Sequence, residues 1–131
     1  MARAGGRDAP NPFIDYLGLR IVEAAEGICR TKVAVAEHIF NRYRVVHGGA
    51  LFTLIDGTMS EALFSLLGPG EDCSTIENKI NYVRPAGSGE LTCEARVLHC
   101  GRTTAVVEAT VSQGDKVVAV GQGSYAVQRG D

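Results

Sequence analysis

A chain of 131 residues falls in the single-domain range, so one domain and no second module is expected. Its hydrophobic share of 45% is that of an ordinary globular protein, and a formal net charge of −2 supplies no general attraction to nucleic acid or an anionic membrane. No apolar run reaches the roughly 18 residues of a membrane span, and Met1 to Asp8 lacks the apolar core of a secretory signal, which makes the cytoplasm the expected compartment.

Residues 1–9 are small, polar and charged and read as a flexible tail ahead of a single domain over residues 10–131. Asn11 to Leu17 reads as a short helix, with Asn11 as its cap, Pro12 at the first helical position and Gly18 as its stop. Leu19 to Ala25 and Gly27 to Ala34 form two strand-like runs around a Glu26-Gly27 turn. In the second run Ile28, Arg30, Lys32 and Ala34 share one face, and Cys29, Thr31, Val33 and Val35 the other. Residues 36–48 form an irregular loop, and a helix is predicted over Gly49 to Leu67, stopped by Gly68-Pro69-Gly70.

Four more strands are predicted at Cys73 to Val83, Gly89 to Leu98, Thr103 to Gln113 and Lys116 to Val127. Their connections, such as Gln113-Gly114-Asp115, suit antiparallel pairing. The fold class is therefore α+β, an antiparallel sheet of about five to six strands wrapped around one long central helix. Such a sheet has open edges, and pairing two copies edge to edge removes one, so a homodimer is expected.

Cys29, Cys73, Cys93 and Cys100 form no CxxC pair and have no histidine at zinc-site spacing. Reduced, mostly buried thiols are expected, with no metal and no redox cofactor.

At about 100° per residue, Leu51, Phe52, Leu54, Ile55, Met59, Ala62, Leu63 and Leu66 share one arc of the long helix, and Asp56 falls at its edge. A carboxylate beside an apolar face is costly to keep charged unless it is paired, hydrogen-bonded or open to a wet cleft. That setting suits a general base or nucleophile, and equally a structural carboxylate bordering solvent.

Asn41, His47-Gly48-Gly49 and Asp56, followed by Thr75, Tyr82-Val83-Arg84-Pro85 and Gly101-Arg102-Thr103, carry a resemblance to the hotdog-fold acyl-CoA thioesterases of the phenylacetate-degradation (PaaI) type. The resemblance spans about residues 12–127, and the Asn-x5-His-Gly-Gly-x6-Asp spacing is its specific part. It implies hydrolysis of acyl-CoA at a dimer interface, with the acid of one subunit facing the loop of the other. Asp56 is then nucleophile or general base, and the Gly48 N–H, at a helix start, stabilises the oxyanion. Asn41 would orient the thioester or water, His47 would position substrate or support the loop, and Thr75, or its neighbour Ser74, would contact substrate or water near the acid. Gly49 and Tyr82 would contact the acyl-CoA substrate, and the coenzyme A phosphates and adenine would fall to Arg84, His99, Gly101, Arg102 and Thr103.

Coenzyme A is part of the substrate, so no cofactor is expected. The acyl group tilts toward aryl or medium-chain, and a dimer of dimers is common in the family. Two other readings are a non-catalytic acyl-CoA sensor and a hydratase or dehydratase of the same fold. An Asp-x5-His pair for the latter needs His at position 62, where this chain has Ala62.

Overall fold

The computed structural model describes residues 5–130. In chain order the elements are α1 (Pro12–Leu17), β1 (Arg20–Ala25), β2 (Ile28–Ala34), a 3₁₀ turn (Glu37–Ile39), α2 (Gly48–Phe64), β3 (Asp72–Tyr82), β4 (Glu90–Cys100), β5 (Thr104–Gln113) and β6 (Lys116–Gln128). The six strands form one antiparallel sheet in the order β1-β2-β4-β5-β6-β3, leaving β1 and β3 at its edges. This is the expected hotdog arrangement, with α2 laid across one face of the sheet.

Local chemistry accounts for most boundaries. Gly18 closes α1 in the left-handed conformation at φ 85°, donating its N–H to Ile14 O and Asp15 O. Asn11 occupies the cap position but its side chain makes no cap bond, and Pro12 follows at the first helical position, where its missing N–H costs nothing. Glu26 and Gly27 both have positive φ, 54° and 82°, which fits a tight primed turn between β1 and β2.

The helix ends earlier than its apolar pattern predicts. Ser65 Oγ donates to Ala62 O at 2.6 Å and accepts from Gly27 N at 2.8 Å, so its hydroxyl diverts the backbone at Phe64 and ties the helix end to the first hairpin.

Leu51, Leu54, Ile55, Thr58, Met59, Ala62 and Leu63 form the buried stripe of α2. They pack on inward residues of the sheet, among them Val33, Leu91, Val107, Val111 and Val118. At the centre Thr58 Oγ1 donates to Leu54 O at 2.7 Å and lies 2.8 Å from Thr31 Oγ1, which satisfies the two fully buried hydroxyls.

Two members of the predicted arc lie outside it. Phe52 is 40% exposed because it sits one turn before Asp56 on the helix's open flank, and Leu66 is 43% exposed because it follows the end of the helix. Residues 1–4 of the expected tail lie outside the described residues. Of the rest, Arg7 donates to the carbonyls of Phe64, Gly68 and Glu71 at 3.3 to 3.4 Å and lies over the Phe64 ring, so this part is docked on the end of α2.

The four cysteines are free thiols, with Cys29 and Cys93 buried. Burial pushes the thiols of Cys29, Cys73 and Cys93 up to about 12. With iodoacetamide at about pH 8 these three are expected to stay unlabelled in the folded protein and to label after denaturation, read by mass spectrometry of the digest. Rapid native labelling of Cys29 or Cys93 would contradict the packing.

Candidate active site

Asp56 stands two turns into α2, half-buried between the apolar stripe and solvent. Its Oδ1 accepts from Thr75 Oγ1 at 2.8 Å, Asn78 Nδ2 at 2.7 Å and the Tyr125 hydroxyl at 2.9 Å. Its Oδ2 has no partner among the described residues. Of Ser74 and Thr75, it is Thr75 that faces the acid. Asn78 and Tyr125 are the residues that sequence reasoning missed.

The backbone of β3 explains why. Residues three apart on a regular strand point to opposite faces, so Thr75 and Asn78 should not meet. The register against β6 steps from Thr75↔Tyr125 to Glu77↔Ser124, leaving Ile76 as a bulge, and Ile76 and Glu77 are both exposed. That extra residue turns Asn78 inward to the same carboxylate as Thr75. Tyr125 comes from the facing strand and is fully buried. Burial and then the charge of Asp56 push its hydroxyl well above the ordinary tyrosine range, so it stays protonated and donates.

A second group lies at the start of α2. His47 is the N-cap, and its Nδ1 accepts from Gly49 N at 2.8 Å, which requires that nitrogen bare and places a neutral ring's proton on Nε2. The Gly48 N–H has no partner among the described residues. Tyr82 donates its hydroxyl to Gly48 O at 3.1 Å. Asn41 lies in the preceding loop, its Oδ1 accepting from Tyr43 N at 2.8 Å and Val45 N at 3.4 Å, so within one protomer its carbonyl shapes the loop.

The third group is the β4–β5 turn. Gly101 N donates to Thr104 O at 2.8 Å and Val127 N to Thr103 O at 2.9 Å, while Arg129 donates to Gly101 O at 2.7 Å and Arg102 O at 3.2 Å. Arg129 also pairs with Glu71 at 3.2 Å. His99, Arg102 and Thr103 are exposed, as is Arg84 just beyond β3.

These groups are spread along α2. Tyr82 ties the end of β3 to the helix start, whereas Val97, near the end of β4, bonds to Gly27, which bonds to Ser65 at the helix end. One protomer therefore brings Asp56 together with Thr75, and Gly48 together with His47, Gly49 and Tyr82. It holds the turn of His99, Gly101, Arg102 and Thr103 at the far end.

Asp56 borders a cavity of about 960 Å³ lined in part by Phe13, Phe52 and Phe64, three of the chain's four phenylalanines, together with Ser60 and Glu61. Burial pushes the Glu61 carboxyl up, and the Arg7 guanidinium opposes it. Among the described residues no group of three or more His, Cys, Asp and Glu could hold a metal ion. No helix among them is long and apolar enough to cross a membrane.

Residues 43–120, more than half of the chain, match the thioesterase superfamily. The chain belongs to that superfamily. The acyl-coenzyme A thioesterase PaaI of Escherichia coli is 32% identical over 111 residues, covering 82% of this chain and 76% of that protein. The solved structure of the E. coli PaaI protein from the phenylacetic acid degradation operon superposes with a TM-score of 0.84 at 29% identity, covering 92% of this chain and 86% of that one. A conserved protein of Pseudomonas aeruginosa superposes with a TM-score of 0.87 at 46% identity, covering 90% and 94%. In this thioesterase-superfamily chain Ala62 is fully buried in the core, so no acid-base partner for Asp56 arises there.

The Glu71 clamp gives a pH test. The Gly68 N–H, and then Arg129, hold the Glu71 carboxyl below its ordinary value of 4.5. A depressed carboxyl stabilises the fold above its unfolded value and loses that contribution as pH falls through the folded one. Glu71→Gln is therefore expected to melt below the parent near neutral pH, with the gap closing as pH drops below 4.5. A gap that persists unchanged into acid would contradict the clamp.

Proposed function

We propose that this protein hydrolyses acyl-CoA thioesters to the free acid and CoA, at a site shared between two copies, with Asp56 of one facing the Gly48 loop of the other. The observation that carries this reading is a carboxylate oxygen and a helix-start N–H that are both open and lie eight residues apart on one helix. Eight residues at 1.5 Å each separate them by about 12 Å. A reacting carbonyl must lie within roughly 3 Å of both its oxyanion donor and the attacking group, so one protomer's pair does not serve one thioester. Two copies running antiparallel supply one of each. The exposed edge of β3, with Ile76, Tyr82 and Val83, is the surface proposed to pair, and such dimers would stack as a dimer of dimers.

In the general-base route Oδ2 takes a proton from water as the water oxygen bonds to the carbonyl carbon. The carbonyl electron pair moves onto the oxygen held by the Gly48 N–H, and collapse breaks the C–S bond, the proton passing to the CoA thiolate. In the nucleophilic route Oδ2 bonds to the carbon and the C–S bond breaks, CoA leaving as its thiolate and a mixed anhydride forming; water then cleaves that anhydride to the acid and the Asp56 carboxylate, the proton released passing to the CoA thiolate. Both routes use the same open oxygen. Thr75 holds the other oxygen, Asn41 Nδ2 and His47 Nε2–H donate toward the thioester, and Gly49 and Tyr82 shape the helix start.

Arg84, His99, Gly101, Arg102 and Thr103 would receive the nucleotide of CoA, their exposed cations and turn amides suiting phosphate. The three phenylalanines beside Asp56 favour an aryl or medium-chain acyl group. No resident cofactor takes part, since CoA enters with the substrate, and the proposed compartment is the cytoplasm.

Thiol release from phenylacetyl-, hydroxybenzoyl-, short- and long-chain CoA tests the reading. Asp56→Ala is expected to abolish it with the oligomer intact. Gly48→Pro is the sharper probe, because His47 already holds φ −63° and ψ 137°, the conformation a residue before proline adopts, so the fold survives while the N–H is lost. It is expected to lower kcat about 10²- to 10³-fold. Refolding the two variants together should restore about a quarter of the parental rate, because half of randomly paired dimers are mixed and each mixed dimer has one complete site. No recovery on mixing would place both groups in one protomer, and full activity of Asp56→Ala would remove the assignment.

A further inference from the structure

We propose that Asn78 and Tyr125 are positioning residues, which load Asp56 Oδ1 with donors and so commit Oδ2 to the reaction. This rests on the thioesterase reading of Asp56. A carboxylate oxygen offers two lone pairs, and Oδ1 already meets Thr75, Asn78 and Tyr125 at 2.7 to 2.9 Å. Oδ2 is left as the oxygen with open lone pairs. The Tyr125 hydroxyl, 3.3 Å from the backbone oxygen of Asp56 as well, also fixes the side chain against the helix.

Three departures from ideal structure converge on that carboxylate, and each taken alone costs strand pairing or a hydrogen bond. The bulge at Ile76 interrupts pairing between β3 and β6. Gly123 lies opposite Asn78 in mid-strand, where a glycine weakens a sheet. An added Cβ there would overlap Asn78 Oδ1 and lie 2.9 Å from Glu77 O, so the missing side chain makes the space that the amide occupies. Asn78 Oδ1 is itself buried with no hydrogen-bond partner. Turning the amide over would set that carbonyl oxygen against the carboxylate, so the unpartnered acceptor follows from aiming the NH2 at Asp56. An apolar side chain at position 78 would avoid the orphan and suit a residue turned toward the core. Asparagine there is explained by what it donates to.

The test compares Asn78→Leu, Tyr125→Phe and Gly123→Ala with the parent in steady-state thiol release and in thermal melting. Loss of either donor frees Asp56 to rotate, and a small misplacement of a reacting group is costly, so kcat is expected to fall about tenfold or more with KM within about twofold. Asn78→Leu is expected to melt at or above the parental temperature, since it removes the orphan acceptor; a merely structural asparagine predicts the opposite. Gly123→Ala crowds the amide away without touching Asp56 and should reproduce the loss, and in the Gly123→Ala/Asn78→Leu double variant the two losses should not multiply.

Parental kcat in both Asn78→Leu and Tyr125→Phe overturns the inference, as does an Asn78→Leu protein that melts lower and loses activity only with its folded fraction. Should Gly123→Ala not fold, those two variants decide. An active parent with unaffected variants sinks this inference alone, whereas a parent that hydrolyses no acyl-CoA sinks the thioesterase reading and this inference with it.

Discussion

The packing of α2 against the sheet is the constraint from which the rest of the molecule follows. The helix buries its apolar stripe on a sheet face, and among the described residues no other element covers that face at its centre. The Thr31–Thr58 contact sits in the middle of this interface and satisfies its two buried hydroxyls. With the stripe pinned, the side chains next to it have little choice of position. Asp56 lands on the flank, close enough to apolar surface to be partly desolvated and close enough to β3 and β6 to be held by hydrogen bonds.

The stiffness of that helix also separates the chemical groups. An α-helix does not bend back on itself, so the open Gly48 N–H and the open Asp56 oxygen keep a fixed spacing too long for one carbonyl. The β4–β5 turn, anchored by Arg129, sits farther along at the opposite end. Under the proposed reaction this spacing makes a second copy part of the catalyst rather than an accessory to stability. His47 contributes at the same end in a quieter way. By capping Gly49 it leaves the neighbouring Gly48 amide as the open one at the helix start, which the proposed reaction uses.

Irregularity occurs in several strand pairs, with register shifts between Ile21 and Glu23, Val97 and His99, and Val111 and Ser112 as well as at Ile76. The outer surface carries conventional cross-strand ion pairs, Arg20 and Lys32 with Glu90 and Arg96 with Glu108, each worth little individually. The bulge at Ile76, the glycine at 123 and the unpartnered carbonyl of Asn78 lie around one carboxylate. What sets this place apart is that three broken local rules meet at a single side chain.

The chain by itself determined the order of elements, the helix that carries Asp56, the glycine pair at its start and the tight turns. These depend on periodicity and on residues whose backbone preferences act within a few positions. The same local logic misjudged the end of α2, because Ser65 is recruited by Gly27, and misplaced Phe52, because an arc of apolar residues does not say how much of it a sheet will cover. Only the tertiary structure decided that Thr75 rather than Ser74 meets the acid, that a bulge brings Asn78 beside it, and that Tyr125, 69 residues away along the chain, completes the set. A strand's alternation fixes faces only until a register shift resets it, and such a shift is set by the partner strand, which no local pattern contains.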